Sequence, residues 1–198
     1  MSETQTIQRR RGRGGRERIL AAATTLFESQ GITATGMEQV AAAAPVSKRT
    51  LYTHFPSKDQ LVVDYLRHLV ESGHTMEGVL DREDLPPRER LLALFTIPDR
   101  GDGPIRGCPF VDAAAEYPDP HSPVHQYAAA QKRRFADRLV ELLSTLGVAH
   151  PRVLAEQLAI LADGAASRSM ILNDTDCGRY AQAAAAALLD AATPIPTR

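Results

Sequence analysis

The sequence predicts an all-α fold, and three observations carry that expectation. Apolar residues recur three and four positions apart along most of the chain, the period of one helix face. The period-two alternation of a half-buried strand is not found, nor is any internal repeat. Between the periodic stretches stand prolines, glycines and Ser/Thr-x-x-Glu/Gln pairs, which are residues that start and stop helices.

The first fifteen residues, MSETQTIQRRRGRGG, are polar, glycine-containing and strongly basic. They read as a disordered arm that lies along phosphates or enters a minor groove, or as a solubilising tail. Arg16 to Gln30 reads as a helix with Ile19, Ala23, Leu26 and Phe27 on one face and Gly31 as its C-terminal cap. Met37, Val40, Ala41 and Ala44 mark a short second helix, opened by Thr35 and Glu38 as a capping box. Ala44-Pro45-Val46 interrupts it, because a residue before proline is pushed out of the helical region. Ser47 can cap a third helix whose Leu51 and Phe55 face inward, leaving Lys48, Arg49, Thr50, Tyr52, Thr53 and His54 outward or flanking. Pro56 ends it, and Ser57-x-x-Gln60 opens the next. Two short helices around a tight turn, the second offering basic and hydroxyl side chains, are what a major groove accepts. The stretch Thr35–Gln60 reads as a helix-turn-helix.

From Ser57 a long helix carries Leu61, Val62, Tyr65, Leu66, Leu69 and Val70, ending between Gly73 and Leu80. A connector over 81–87 leads to a short helix, Arg88–Ile97, and then to a loop, PDRGDGPIRG. Cys108–Tyr117 is a short helix. Pro123 starts a long one running to Leu146, with Gly147 as its cap. Pro151–Leu172 and Gly178–Ala192 are the last two helices. Their faces are rich in small residues: Ala162, Gly164, Ala165, Ala166, Ala181, Ala184 and Ala185. Small residues let helices approach closely, so these faces suit either a four-helix interface between two copies or packing within one chain.

The formal net charge of −1 over 198 residues conceals an asymmetry. Residues 1–58 hold nine Lys/Arg against four Asp/Glu, a net +5, and the remainder holds fourteen against twenty, a net −6. A basic head on an acidic body fits a polyanion-binding protein, and equally an ordinary solvated surface. No apolar run is long enough to span a bilayer, and no apolar segment follows the N-terminal arginines as in a secretory signal. Two cysteines, Cys108 and Cys177, do not make a disulfide framework, and a reducing cytoplasm is expected.

VSKRTLYTHFPSKDQL, with the preceding RERILAAATTLFESQGITATGMEQVAAAA, resembles the DNA-binding region of the TetR family of bacterial transcription regulators over residues 16 to 66. The resemblance implies a homodimer: a helix-turn-helix DNA-binding domain over 16–58, and an effector-binding and dimerisation domain over 59–198 that pairs through the last two helices. It implies phosphate or base contacts by Thr35, Ser47, Lys48, Arg49, Thr50, Tyr52, His54 and Lys58. The expected partners are double-stranded DNA with a palindromic operator and a small-molecule effector whose binding releases a repressor. No membrane partner, cofactor, metal or catalytic residue is expected. One position departs from the family pattern: Pro45 stands where the turn usually has glycine. Glycine permits φ > 0 and proline is locked near −65°, so the turn is expected to be built differently.

Tyr65, Leu69, Phe95, Phe110, Tyr127 and Phe135 are large apolar or aromatic residues that could line the effector pocket or fill a core. His121 and His125 have a spacing used in zinc sites, with Glu116 nearby, but Pro123 between them argues against convergence. Cys108, close to Arg106, could be a redox sensor or a small buried hydrophobe. Two rival functions follow: an architectural DNA-binding protein without an effector, and an all-α enzyme or metal or redox sensor built on His121, His125 or Cys108. The enzyme lacks a glycine-rich phosphate loop, a nucleophile elbow or a matched acid–base pair.

Overall fold

The computed structural model describes residues 3–98, 101 and 103–192, and among these the fold is all-α. The helices are α1 (Glu3–Gln30), α2 (Met37–Ala43), α3 (Lys48–His54), α4 (Lys58–Glu71), α5 (Pro87–Ala93), α6 (Pro109–Glu116), α7 (Pro123–Thr145), α8 (Pro151–Leu172) and α9 (Asp176–Ala191), with a 3-10 segment over Met76–Asp81. Residues 99, 100 and 102 of the expected 98–107 loop lie outside the described residues. The segment expected as a disordered arm is instead helical from Glu3 and continuous with α1. Its glutamines and arginines are good helix formers and no proline interrupts it. The side chains of its basic run, Arg9–Arg13, lie outside the described residues.

The chain forms two compact units, 1–68 together with 113–127, and 69–112 together with 128–198. The expected 16–58 head lies wholly inside the first. There, α1 packs on α2 and α3, which pack on each other. Their shared core is Ile19, Leu20, Ala23, Phe27, Ile32, Val40, Ala41, Ala44, Leu51 and Phe55, joined by Leu61, Val62 and Leu66 from α4. Each fully buried Leu, Ile or Phe contributes about 1.5–3 kcal/mol relative to exposure, so this short-helix unit is held by its core rather than by helix propensity.

Helix ends explain how the turn between α2 and α3 is made. At the end of α7, Gly147 adopts φ 71°, its amide donates to Ser144 O (3.1 Å), and the Val148 amide donates to Leu143 O (3.3 Å). That is a Schellman motif, with its left-handed residue supplied by glycine. The end of α4 repeats it at Gly73. α2 ends the same way, with Val46 donating to Ala41 O (3.1 Å), but the left-handed position is Pro45 at φ 25°. The turn is thus not built around a proline-compatible φ as the sequence suggested. Pro45 is strained, and having no N–H it cannot make the second bond of the motif.

The second unit is a larger helical core. α5 packs on α9 and on the 3-10 segment, and α8 packs on α9. Leu80, Leu91, Leu94, Phe95, Phe135, Leu139, Leu143, Leu154, Leu158, Ala162 and Ala185 form one apolar cluster. Gly178 permits the close seating of α9: a Cβ there would lie 2.3 Å from Phe95 O and 2.8 Å from Ile97 Cγ1. Of the small residues expected at a dimer face, Ala162, Ala165, Ala166 and Ala185 are buried within the chain, whereas Gly164 and Ala184 are exposed.

Candidate nucleic-acid interface

α3 has two unlike faces. Leu51 and the C-cap Phe55 are fully buried, while Lys48, Arg49, Tyr52 and Thr53 are exposed. Ser47 caps the helix as expected, its Oγ accepting from the Thr50 amide (3.1 Å) and lying 2.8 Å from Thr50 Oγ1. The hydroxyls of Ser47 and Thr50 therefore sit together at the helix start, beside the side chains of Lys48 and Arg49.

The other residues implied at a DNA contact are placed differently. Thr35 is only 1 % exposed, and its hydroxyl donates to Gly31 O (2.7 Å) and accepts from Gln30 Nε2 (3.1 Å). Its hydroxyl is thus used inside the α1–α2 loop. The capping box also moves by one residue. Gly36 is the N-cap of α2 and Gln39, not Glu38, reaches back to its amide (2.7 Å). Glu38 instead accepts from Lys48 Nζ (2.7 Å). His54 is half-buried against α1, where a Cβ on Gly15 would lie 3.1 Å from its Nε2. Lys58 is half-buried and donates to Thr33 O (3.0 Å), with burial pulling its ammonium below the ordinary range.

Ion pairs and hydrogen bonds fix this unit around the helix-turn-helix. Arg16 lies over the Phe55 ring (5.4 Å to the centroid) and donates to Asp64 Oδ2 (2.8 Å). Arg67 and Gln60 also donate to Asp64, the latter at 3.2 Å. Glu116 on α6 accepts from the backbone amides of Ile32 (3.0 Å) and Thr33, clasping the loop before α2. Burial works against its ionisation, but those donors outweigh it and hold its pKa below the ordinary value. Burial, with the nearby Asp59 carboxylate, pushes the phenol of Tyr117 up to about 12. The sequence did not disclose these pairings. Opposite charges on Arg16 and Asp64 were visible, but only the packing of α1 against α4 brings them together.

The residues expected at an effector pocket are divided between the units. Tyr65 packs edge-on against Phe27 (5.2 Å) and Tyr127 lies under Arg67 (5.6 Å), both in the first unit. Leu69, Phe95, Phe110 and Phe135 are buried in the second, Phe95 and Phe135 inside its apolar cluster. His121 is exposed, and His125 Nδ1 lies 2.8 Å from Tyr117 O, so that nitrogen must carry the hydrogen and donate. Among the described residues no group of three His, Cys, Asp or Glu could hold a metal ion. Cys108 is buried, which pushes its thiol pKa up, against the pattern of a reactive cysteine. No described helix is long and apolar enough to cross a membrane.

A three-helix head with a basic, hydroxyl-bearing second helix of a helix-turn-helix, followed by a larger helical unit, defines a DNA-binding transcription regulator. Residues 19–65 match the model of the bacterial regulatory proteins, tetR family. The chain is 33 % identical over 159 residues to the HTH-type transcriptional regulator YjdC of Escherichia coli K12, covering 79 % of this chain and 83 % of that one. It belongs to the TetR family. It is also 35 % identical over 77 residues to the HTH-type transcriptional repressor NicS of Pseudomonas putida, 39 % of this chain and 36 % of that one. The solved structure of a TetR-family transcriptional regulator from Streptomyces coelicolor superposes with a TM-score of 0.79 at 30 % identity, over 89 % of this chain and 95 % of that one.

Proposed function

We propose that the protein is a dimeric repressor that reads a palindromic operator through α3 and is released by a small-molecule effector. The observation that carries this reading is the exposed set Lys48, Arg49, Tyr52 and Thr53 on a helix whose opposite side is locked into the core. Arg49 is the base-reading candidate, since its planar fork suits guanine O6 and N7. Ser47, Lys48, Thr50, Tyr52, His54 and Lys58 flank it. The repressor sense is supported by the likeness to NicS.

Effector control is supported by the interior of the second unit, which is not purely apolar. Half-buried Lys132 pairs with half-buried Asp163 and lies 5.8 Å from the Phe135 ring centroid. Glu77 is buried near Lys132, Arg138 and Arg134, and burial pushes its pKa up. Gln131 Oε1 and Ser169 Oγ are buried with no hydrogen-bond partner among the described residues. A few polar groups in apolar surroundings are the usual make-up of a small-molecule site. α4 starts at Lys58 beside the helix-turn-helix and its last turn belongs to the second unit, so a ligand preferring one tilt of α4 would shift the DNA-competent population.

The test begins with selection of bound duplexes from a randomised library, which should recover an inverted repeat. Arg49→Ala should lose discrimination at defined positions, about 1–3 kcal/mol each. Any small molecule that raises the melting temperature should lower operator affinity, by ~5–150-fold. A stabilising ligand that leaves operator affinity unchanged would replace this reading with the architectural one.

A further inference from the structure

We propose that Glu38 is a positioning residue that sets DNA specificity by holding the Lys48 ammonium away from phosphates, so that sequence-independent binding is suppressed. The inference rests on the reading of α3 as the DNA-facing helix. Glu38 lies in the first turn of α2 and Lys48 in the first turn of α3, and the turn at Pro45 brings Lys48 Nζ to 2.7 Å from Glu38 Oε1. Both side chains are open to water, 65 % for Lys48 and 78 % for Glu38. Water screens such a pair, so it adds little to the stability of the fold. Its consequence must be sought in what it does to the surface that carries it.

That surface faces a polyanion with one charge per ~1.7 Å of axis. A bare carboxylate there would oppose every duplex alike. A lysine there would help every duplex alike, because a compact ammonium on a flexible stem can take whichever phosphate is nearest. Joined, the two cancel. The hydrogen bond and charge of Lys48 hold the Glu38 pKa below its ordinary value, and Glu38 raises that of Lys48, so both remain ionised at neutral pH. The positive dipole end of α2 favours a carboxylate at Glu38 and keeps it in place. Arg49, also exposed on α3, has no such ion-pair tether among the described residues, and its planar fork suits a base edge. Glu38 thereby shifts the balance from phosphate contacts, which position, to base contacts, which specify.

The experiment measures affinity for a short mixed-sequence duplex and for the library-selected operator across a salt series. The proteins are the unmodified chain, Glu38→Gln, Lys48→Met, the double variant and Arg49→Ala. Glu38→Gln should bind the mixed duplex on the order of 3–10-fold tighter, with a log–log salt slope steeper by about 0.9, one more phosphate contact. Operator affinity should gain less, so discrimination falls. In the Lys48→Met background, where Glu38 is a bare carboxylate, Glu38→Gln should gain clearly less than it does with Lys48 present, and the slope should not steepen by a further contact. Melting curves should coincide, since both positions are exposed, and Glu38→Ala repeats the comparison with a shorter side chain. Unchanged or weaker mixed-duplex binding by Glu38→Gln overturns the proposal. So does an equal gain without Lys48, which would be simple removal of a negative charge. If Arg49→Ala also leaves operator binding intact, the DNA-facing assignment of α3 fails and takes this inference with it; a loss confined to Arg49→Ala removes the inference alone.

Discussion

At Pro45 the needs of the residue and of its neighbours conflict. The ring prefers φ near −65°, yet the α2–α3 turn holds it at 25°. The turn wins because it lets Val40, Ala44, Leu51 and Phe55 all reach the core. Burying a single large side chain is worth ~1.5–3 kcal/mol, so several together exceed strain of about 1–3 kcal/mol. Pro45→Gly should relieve that strain and restore an amide able to donate to Ala42 O, a bond worth ~0.5–1.5 kcal/mol. Greater freedom of the unfolded chain offsets about 0.4–1 kcal/mol of this. The expected net gain is roughly 1–3 kcal/mol, measured by denaturant unfolding; a loss would mean that proline is at ease in the turn. Sequence alone marked the position but gave the wrong answer for it. The residue's own preference is local, whereas the burial that overrides it depends on helices whose packing is not written at Pro45.

Element boundaries were easier to read than the contacts between elements. The capping serines Ser47 and Ser57 and the glycines Gly31 and Gly147 each do what a local rule asks of them. The helical start at Glu3 was missed because a basic polar run satisfies the disorder rule and the helix rule alike. The clasp of α6 on the α1–α2 loop was invisible, since Glu116 meets the amide of Ile32 across 84 positions of sequence. Its carboxylate has a lowered pKa in the folded state, so the stabilisation it supplies is fully present above the unfolded value near 4.5. It fades as pH falls through the lowered folded value. Glu116→Gln should therefore be less stable to unfolding than the unmodified protein at pH 7, by about 1–3 kcal/mol for a hydrogen-bonded group partly exposed. The gap should narrow below pH 4.5 as the unmodified carboxyl protonates. A gap independent of pH would show that Gln fails for reasons of shape, and that ionisation of Glu116 is not what holds the loop.

At the scale of the whole molecule, the dimer of the proposed function needs a face for a second copy, and burial divides the candidate faces. Most of the small residues that suggested a close helix interface pack inside the chain, between α8 and α9. The outward face of α8 is different: Val153, Ile160, Gly164 and Ile171 fall at steps of 7, 4 and 7, one stripe of a 3.6-residue helix. Ile160 is 70 % exposed and Ile171 75 %, with open space around Gly164. On α9, Tyr180, Ala184 and Ala187 make a matching exposed stripe. Large side chains flanking a glycine suit a self-complementary contact in which a partner helix comes close at Gly164. Across a two-fold axis each residue is used twice, so removing the apolar contact of Ile160 costs ~3–6 kcal/mol per dimer at ~1.5–3 kcal/mol per buried Ile. That weakens self-association by about 10²–10⁴-fold. Ile160→Asp should thus sediment as a monomer at concentrations where the unmodified protein is a dimer, with helical content unchanged because the site is exposed in the single chain. Operator affinity should fall with it, since two heads no longer bind as one body and the gain from effective concentration is lost. Mixed-duplex binding, which needs only one head, should fall far less. A dimer that survives Ile160→Asp would place the interface on another face. A monomer that still binds the full operator tightly would mean that one copy reads it alone, and the palindrome would have no physical basis.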